Sequence, residues 1–141
     1  MAVLARCRIL RVALCDDEGL YLVPLSFGYR AEGNRLTLYL HSAQAGRKVD
    51  AFRRGCSVAF ETDCDVALRP GATPCTYSCT YKSLTGTGVV SELTDSGEKA
   101  AALEEILHCQ TGQTHTVTEA MAQSAAVFAI TVTALSGKAR L

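Results

Sequence analysis

No apolar run in this 141-residue sequence approaches the roughly 18 residues that a helix needs to cross a bilayer, so no membrane-spanning helix is expected. The opening residues, MAVLARCRILRVALC, lack the order of basic region, apolar region and small-residue cleavage site that marks a secretory signal, and the expected location is the cytoplasm. An excess of one charge is missing too. Fourteen acidic side chains balance fourteen basic ones, which leaves no broad cationic surface for nucleic acid; any positive site must be local. No serine sits in a G-x-S-x-G elbow, no H-x-x-x-H spacing joins the histidines, and no βαβ pattern surrounds the GTG at 86–88. Those absences remove the signatures of a serine hydrolase, a histidine metal cluster and a dinucleotide fold. Internal repeats and low-complexity segments are absent as well, and the length suits a single domain spanning 1–141.

Cysteine is present but unpaired in pattern. Seven are scattered at 7, 15, 56, 64, 75, 79 and 109, an odd number without a secretory signal, which argues against a disulfide framework. Cys75-x3-Cys79 with Cys64 upstream could offer three thiolates to zinc, but no matching second pair completes the set, and no metal is expected.

What the chain does have is strands. RILRVALC at 8–15, the turn DDEG at 16–19 and LYLVPLSFGY at 20–29 read as a hairpin. In the second run the odd positions Tyr21, Val23, Leu25, Phe27 and Tyr29 are bulky and share one face. The even face begins with Leu20 and Leu22 and then thins to Pro24, Ser26 and Gly28. Proline and glycine inside a strand mark an edge, a bulge, or the close approach of a ligand or another backbone, so either a large neighbour or a barrel corner is expected there. AEGN at 31–34 makes a second turn into RLTLYLH, with Leu36, Leu38 and Leu40 on one face and Arg35, Thr37, Tyr39 and His41 on the other. A short helix follows from about Arg47 to the Gly55 stop, then a strand at 56–63. Residues 64–75 carry two prolines and are expected to be irregular. A long strand bent at Gly86 and Gly88 covers 76–93, a helix runs from an Asp95 cap to Gly112, 111–125 stay unassigned, and a last strand begins near 126. Six strands, several joined by hairpin turns, favour a small antiparallel barrel or sandwich.

The stretch HSAQAGRKVDAF at 41–52 is the chemical oddity. Arg47 and Lys48 place two cations in the first turn of a helix, the end that already carries partial positive charge. A phosphate accepting bonds from backbone N–H groups, the Ser42 hydroxyl and these cations would resolve the conflict; simple solvation of both side chains is the alternative. His41 could hydrogen-bond a ligand, ligate a metal or haem, act as acid or base, or serve structure alone.

In order and spacing, LYLVPLSFGY, RLTLYLHSAQAGRKVDAFRRG, CSVAFETD and YKSLTGTGVVSEL (81–93) resemble the flavin-binding split-barrel superfamily typified by pyridoxamine 5′-phosphate oxidase, and within it the nitroimidazole-resistance group. The resemblance implies a mainly β fold, a six-stranded antiparallel FMN-binding split barrel of Greek-key type. It further implies a homodimer with FMN at the subunit interface and a flavin-dependent oxidoreductase acting on a small molecule. It puts Pro24, Leu25 and Ser26 against the isoalloxazine, largely through backbone groups, His41 and Ser42 near the flavin and its phosphate chain, and Arg47 and Lys48 on the phosphate. Tyr81 and Ser83 would reach the cofactor along the long strand, from the same chain or from the partner subunit. Some members of the superfamily hold haem or deazaflavin instead, and the alternative function is a non-catalytic flavin- or haem-binding module using His41. The chain departs from many such proteins in beginning almost directly at its first strand, and no residue stands out as a catalytic acid or base.

Overall fold

A computed structural model describes residues 2–141. Both hairpins form: β1 (Ile9–Asp16) pairs with β2 (Gly19–Glu32), and β2 pairs with β3 (Arg35–Ser42), all antiparallel. The helix α1 (Arg47–Arg53) leads to β4 (Ser57–Arg69), which turns back into β5 (Ser78–Glu92). After α2 (Ser96–Thr111) and the short α3 (Glu119–Ala122), β6 (Ala126–Arg140) inserts between β3 and β5. β4 also pairs with β1, so the order β1-β2-β3-β6-β5-β4 closes on itself as a barrel without a free edge. Six antiparallel strands with short helices are what the sequence pattern predicts.

Alternation along each strand sends one set of side chains inward. Leu10, Val12, Leu25, Phe27, Leu38, Leu40, Val58, Phe60, Val90 and Phe128 are buried there. Helix α1 adds Val49, Ala51 and Phe52 to the same core, and the Phe52 ring meets Phe128 edge-on, 5.2 Å between centroids at 70°. Full burial of side chains of this size stabilises by about 1.5–3 kcal/mol each, so α1 is held by its apolar face rather than by its length. Thr62, the one buried polar residue among those described, donates its hydroxyl to the Ile9 carbonyl at 2.7 Å.

The thinned face of β2 has two different neighbours. At Gly28 the neighbour is α2: a Cβ built there would lie 2.5 Å from the Glu105 carbonyl carbon and 2.5 Å from the Ile106 nitrogen. The helix is further tied down by Arg30 donating twice to Glu105 Oε1, at 3.1 and 3.0 Å, and by Gln110 Nε2 donating to the Phe27 carbonyl at 3.0 Å. Gly28 is thus thin for a backbone of the same chain, whereas Pro24 is exposed and Ser26 half-buried. The caps of α2 are those the sequence implies: Asp95 accepts from the Glu98 N–H at 2.9 Å, and Gly112 ends the helix in a left-handed conformation with φ 72°. Ala102 and Ile106 are buried, while Leu103 and Leu107 are half-buried.

Residues 64–69 correct the expectation of an irregular connection, because β4 runs on to Arg69. Asp65 takes the left-handed φ of 57°, the ladder shifts register between Cys64 and Ala67, and pairing resumes at Ala67↔Thr80. A bulge absorbs the misfit, so the two prolines bracket only the turn beyond Arg69. The bend in β5 is likewise local: its register with β6 shifts between Thr87 and Gly88, and the missing side chain at Gly86 leaves room for the Phe60 ring. In the unassigned segment, Thr118 caps α3 by accepting from the Met121 N–H.

Gly28→Ala tests the seam between β2 and α2. With backbone on both sides of the new methyl group, destabilisation of about 1–3 kcal/mol is expected, read as a lower denaturation midpoint at unchanged m-value.

Candidate functional site

The end of β3 separates His41 from Ser42. Leu36, Leu38 and Leu40 form the inward row, so Ser42 continues it, and its Oγ is buried without a hydrogen-bond partner. His41 points to the outer face and is exposed. The pairs His41↔Val127 and Ser42↔Ala126 fix both against the start of β6. A buried hydroxyl left unmatched costs about 1–3 kcal/mol, so Ser42 Oγ is a polar group suited to a ligand that can bond to it.

The chain then turns through Gly46, at φ 126°, into α1. The cations of this turn are not free. Arg47 donates through Nε and Nη2 to the two oxygens of Asp16, both at 2.8 Å, and its guanidinium lies 4.5 Å over the Tyr21 ring. The Asp16 side chain is only 10 % exposed, and the Arg47 fork holds its carboxyl below the usual range, against a smaller opposing effect of burial. Arg53 forks onto Glu92, and Arg54 meets Asp17 at 2.6 Å. Lys48, half-buried, has no ion-pair partner among the described residues. The small hollow beside Arg47, about 130 Å³, is lined by Asp16, Asp17, Glu18 and Asp50 as well as by arginine. The charge conflict of the helix start is therefore met from within the chain, by carboxylates of the β1–β2 turn. The DD pair reads as mere turn chemistry in the sequence, and only the fold brings that turn to α1.

Pro24 and Ser26 lie on the outer face of β2, opposite Arg11 and Ile9 of β1. The Leu25 side chain points the other way and is buried in the core, which leaves its backbone for contact. The β2–β3 ladder ends at Phe27↔Leu40, one residue short of Ser26 and His41, so these two flank the same strand end. Tyr81 and Ser83 sit elsewhere: they pair with Arg140 and Lys138, and Ser83 also with Asp63. Strands β1 and β4 stand between them and Pro24, a separation of about 14 Å at the usual strand spacing. Within one chain Ser26, His41 and Ser42 thus share a strand end, Arg47 is held at Asp16 and Tyr21, and Tyr81 and Ser83 lie across the sheet.

Between the two groups the outer surface is apolar. A trough of about 420 Å³ runs over Ala13, Leu22 and Ala59, adjoining another of about 410 Å³ that reaches Thr85 and Gly86. Leu20 is 91 % and Leu22 63 % exposed on its rim. Arg11 and Glu61 are charged exceptions, with Arg11 donating to Glu61 at 2.9 Å and to Asp63 at 2.7 Å. Among the described residues no three His, Cys, Asp or Glu side chains converge on a possible metal position, so Cys64, Cys75 and Cys79 form no such set. Nor is any described helix long and apolar enough to cross a membrane.

Comparison with solved structures gives several matches to this architecture. A candidate 5-nitroimidazole antibiotic resistance protein from Bacteroides thetaiotaomicron superposes with a TM-score of 0.79 at 27% identity, covering 96% of this chain and 79% of that one. The flavocytochrome Anf3 from Azotobacter vinelandii gives 0.77 at 19% identity over 99% of this chain and 65% of its own. An FAD and haem binding protein from Mycobacterium smegmatis gives 0.75 at 18% over 96% and 67%. The last two likenesses speak for the fold alone. No curated protein matches the sequence. The model of the pyridoxamine 5′-phosphate oxidase family, however, matches residues 1–139, and the chain belongs to that family.

Proposed function

We propose that this chain is a cytoplasmic FMN-binding protein, a homodimer that acts as a flavin-dependent oxidoreductase on a small molecule. The observation that carries the reading is the buried, unpartnered Ser42 hydroxyl at the end of β3, the strand end that Ser26 also flanks, in a segment that continues to Lys48, which has no ion-pair partner among the described residues. A flavin phosphate would take the hydroxyl and the ammonium, and the backbone of Pro24, Leu25 and Ser26 would border the ring. FMN supplies the redox chemistry when bound; the protein positions it and sets its surroundings. Arg47 joins such a phosphate only by giving up part of its fork to Asp16, so the carboxylate tunes affinity. The names of the structural neighbours, which include flavin-binding and nitroimidazole-resistance proteins, support the same reading. A second copy laid on the apolar trough would cover Leu20 and Leu22 and bring its own Tyr81 and Ser83 toward the first chain's Pro24 and Ser26. All seven cysteines are free thiols, which suits a reducing compartment.

His41 supports a second reading. Exposed at the strand end, it would be free to ligate a haem, and the protein would then be a binding module without turnover. The absorption spectrum of the purified protein separates the two. Oxidised-flavin bands, bleached by NADH or NADPH under anaerobic conditions, are expected. A Soret band lost in His41→Ala would establish haem, and a deazaflavin would be identified by mass.

Lys48→Ala is expected to weaken FMN binding about tenfold or more while leaving riboflavin, which lacks the phosphate, nearly unaffected. Equal losses for both ligands in a binding titration would remove Lys48 from the phosphate.

Asp16→Asn should act in two directions. Freed of its carboxylate, Arg47 becomes available and FMN binds more tightly. The stability tied to the depressed Asp16 carboxyl is present above the unfolded value near 3.9 and lost as pH falls through the lower folded value. Wild-type stability therefore declines on acidification below about pH 4, and the Asn variant, less stable at neutral pH, loses that part of the dependence.

A further inference from the structure

Outside the flavin region, the N-terminal turn and β4 run against each other over four residues. Arg6 pairs with Asp65 at one end, and the Ile9 carbonyl accepts the Thr62 hydroxyl at the other. These contacts bracket Cys7 and Cys64. Between these contacts the Cys7 side chain has Cys64 and Thr62 as its neighbours. Cys7 is 1 % exposed, whereas Cys64 is half-buried and packs on the edge of the same core. Cys64 is also the last residue before the register shift of β4, where the ladder is already interrupted and its backbone can adjust.

We propose that Cys64 and Cys7 form a two-thiol oxidation site whose oxidant is a hydroperoxide. The more accessible Cys64, as thiolate, attacks the distal oxygen of the peroxide. The O–O bond breaks, Cys64 becomes a sulfenic acid, and the departing oxygen leaves as alcohol or water after taking a proton. The Cys7 sulfur then attacks the sulfenic sulfur; the S–S bond forms, and the sulfenic oxygen leaves as water with the Cys7 proton. Two thiols and one hydroperoxide thus give one disulfide, one alcohol and one water. The order follows from the surroundings: burial pushes the Cys7 thiol up to about 11, which makes it a poor first nucleophile and casts it as the resolving partner. The bond would clamp the N-terminal turn to β4, immediately beside Asp65, which binds Lys82 of the strand carrying Tyr81 and Ser83.

The test oxidises the full-length reduced protein with one equivalent of hydrogen peroxide and maps its peptides without reduction. A Cys7–Cys64 linkage as the main product, removed by dithiothreitol, is expected, with slower amide exchange over residues 4–8, by about tenfold, in the oxidised form. In Cys7→Ser, dimedone should trap a sulfenic acid on Cys64; in Cys64→Ser, Cys7 should stay a free thiol. The proposal is overturned if wild-type Cys7 remains a thiol while Cys64 proceeds to sulfinic acid, or if the main bond joins the exposed Cys15, Cys75 or Cys79. The wild-type map decides even if either variant folds poorly, and it does so with or without FMN.

Discussion

Closure of the sheet is the constraint on which everything else rests. Once β3 pairs with β6 and β4 with β1, each strand has one face in a common core and one face outside, and no side chain can belong to both. This partition splits neighbouring residues into different roles. Leu25 becomes core while Pro24 and Ser26 face outward; Ser42 is drawn inward while His41 is left at the surface. A one-residue slip of β3 would exchange the last two, so the register set by Leu36, Leu38 and Leu40 is as much a part of the site as the polar groups themselves.

Electrostatics around α1 are a competition rather than a bare cationic patch. Three of the four basic side chains in this helix region, Arg47, Arg53 and Arg54, are already held by carboxylates. Exposed pairs such as Arg54–Asp17 contribute little, but the Arg47–Asp16 fork, stacked on Tyr21 with its carboxylate largely covered, is a more serious rival for any anionic ligand. The arrangement ties the loop and helix to the chain's own carboxylates, at the cost of positive potential on that surface.

Local signals were legible in the sequence because they depend on near neighbours. The two hairpins, the Asp95 cap, the Gly112 stop and the alternation of β3 follow from residues a few positions apart. Partners far apart in sequence were not legible. Nothing in the string says that Gly28 is thin for a helix some eighty residues later, or that the carboxylates of the first turn will reach the first helix. The continuation of β4 past Cys64 was hidden for another reason. Two prolines nearby suggested disorder of the ladder, while the left-handed Asp65 that lets the ladder resume has no strong compositional mark. The motif is a string of near neighbours, and it carries no sign of which strands separate Tyr81 and Ser83 from Pro24 and Ser26.

The strands are unequal in length, and this has a mechanical consequence. β1 and β3 have eight residues each, whereas β4, β5 and β6 have thirteen, fifteen and fifteen, so the latter three outrun the barrel wall as a ribbon. Such a ribbon is a cantilever. Its root is clamped by the barrel, and Asp65 acts as a strut, holding Arg6 of the N-terminal turn on one side and Lys82 on the other. Lys82 lies between Tyr81 and Ser83, so the strut meets the beam at the very place where those side chains project. Their position is set by the stiffness of a bracket rather than by a core beneath them, and small changes at the bracket are carried to them as leverage.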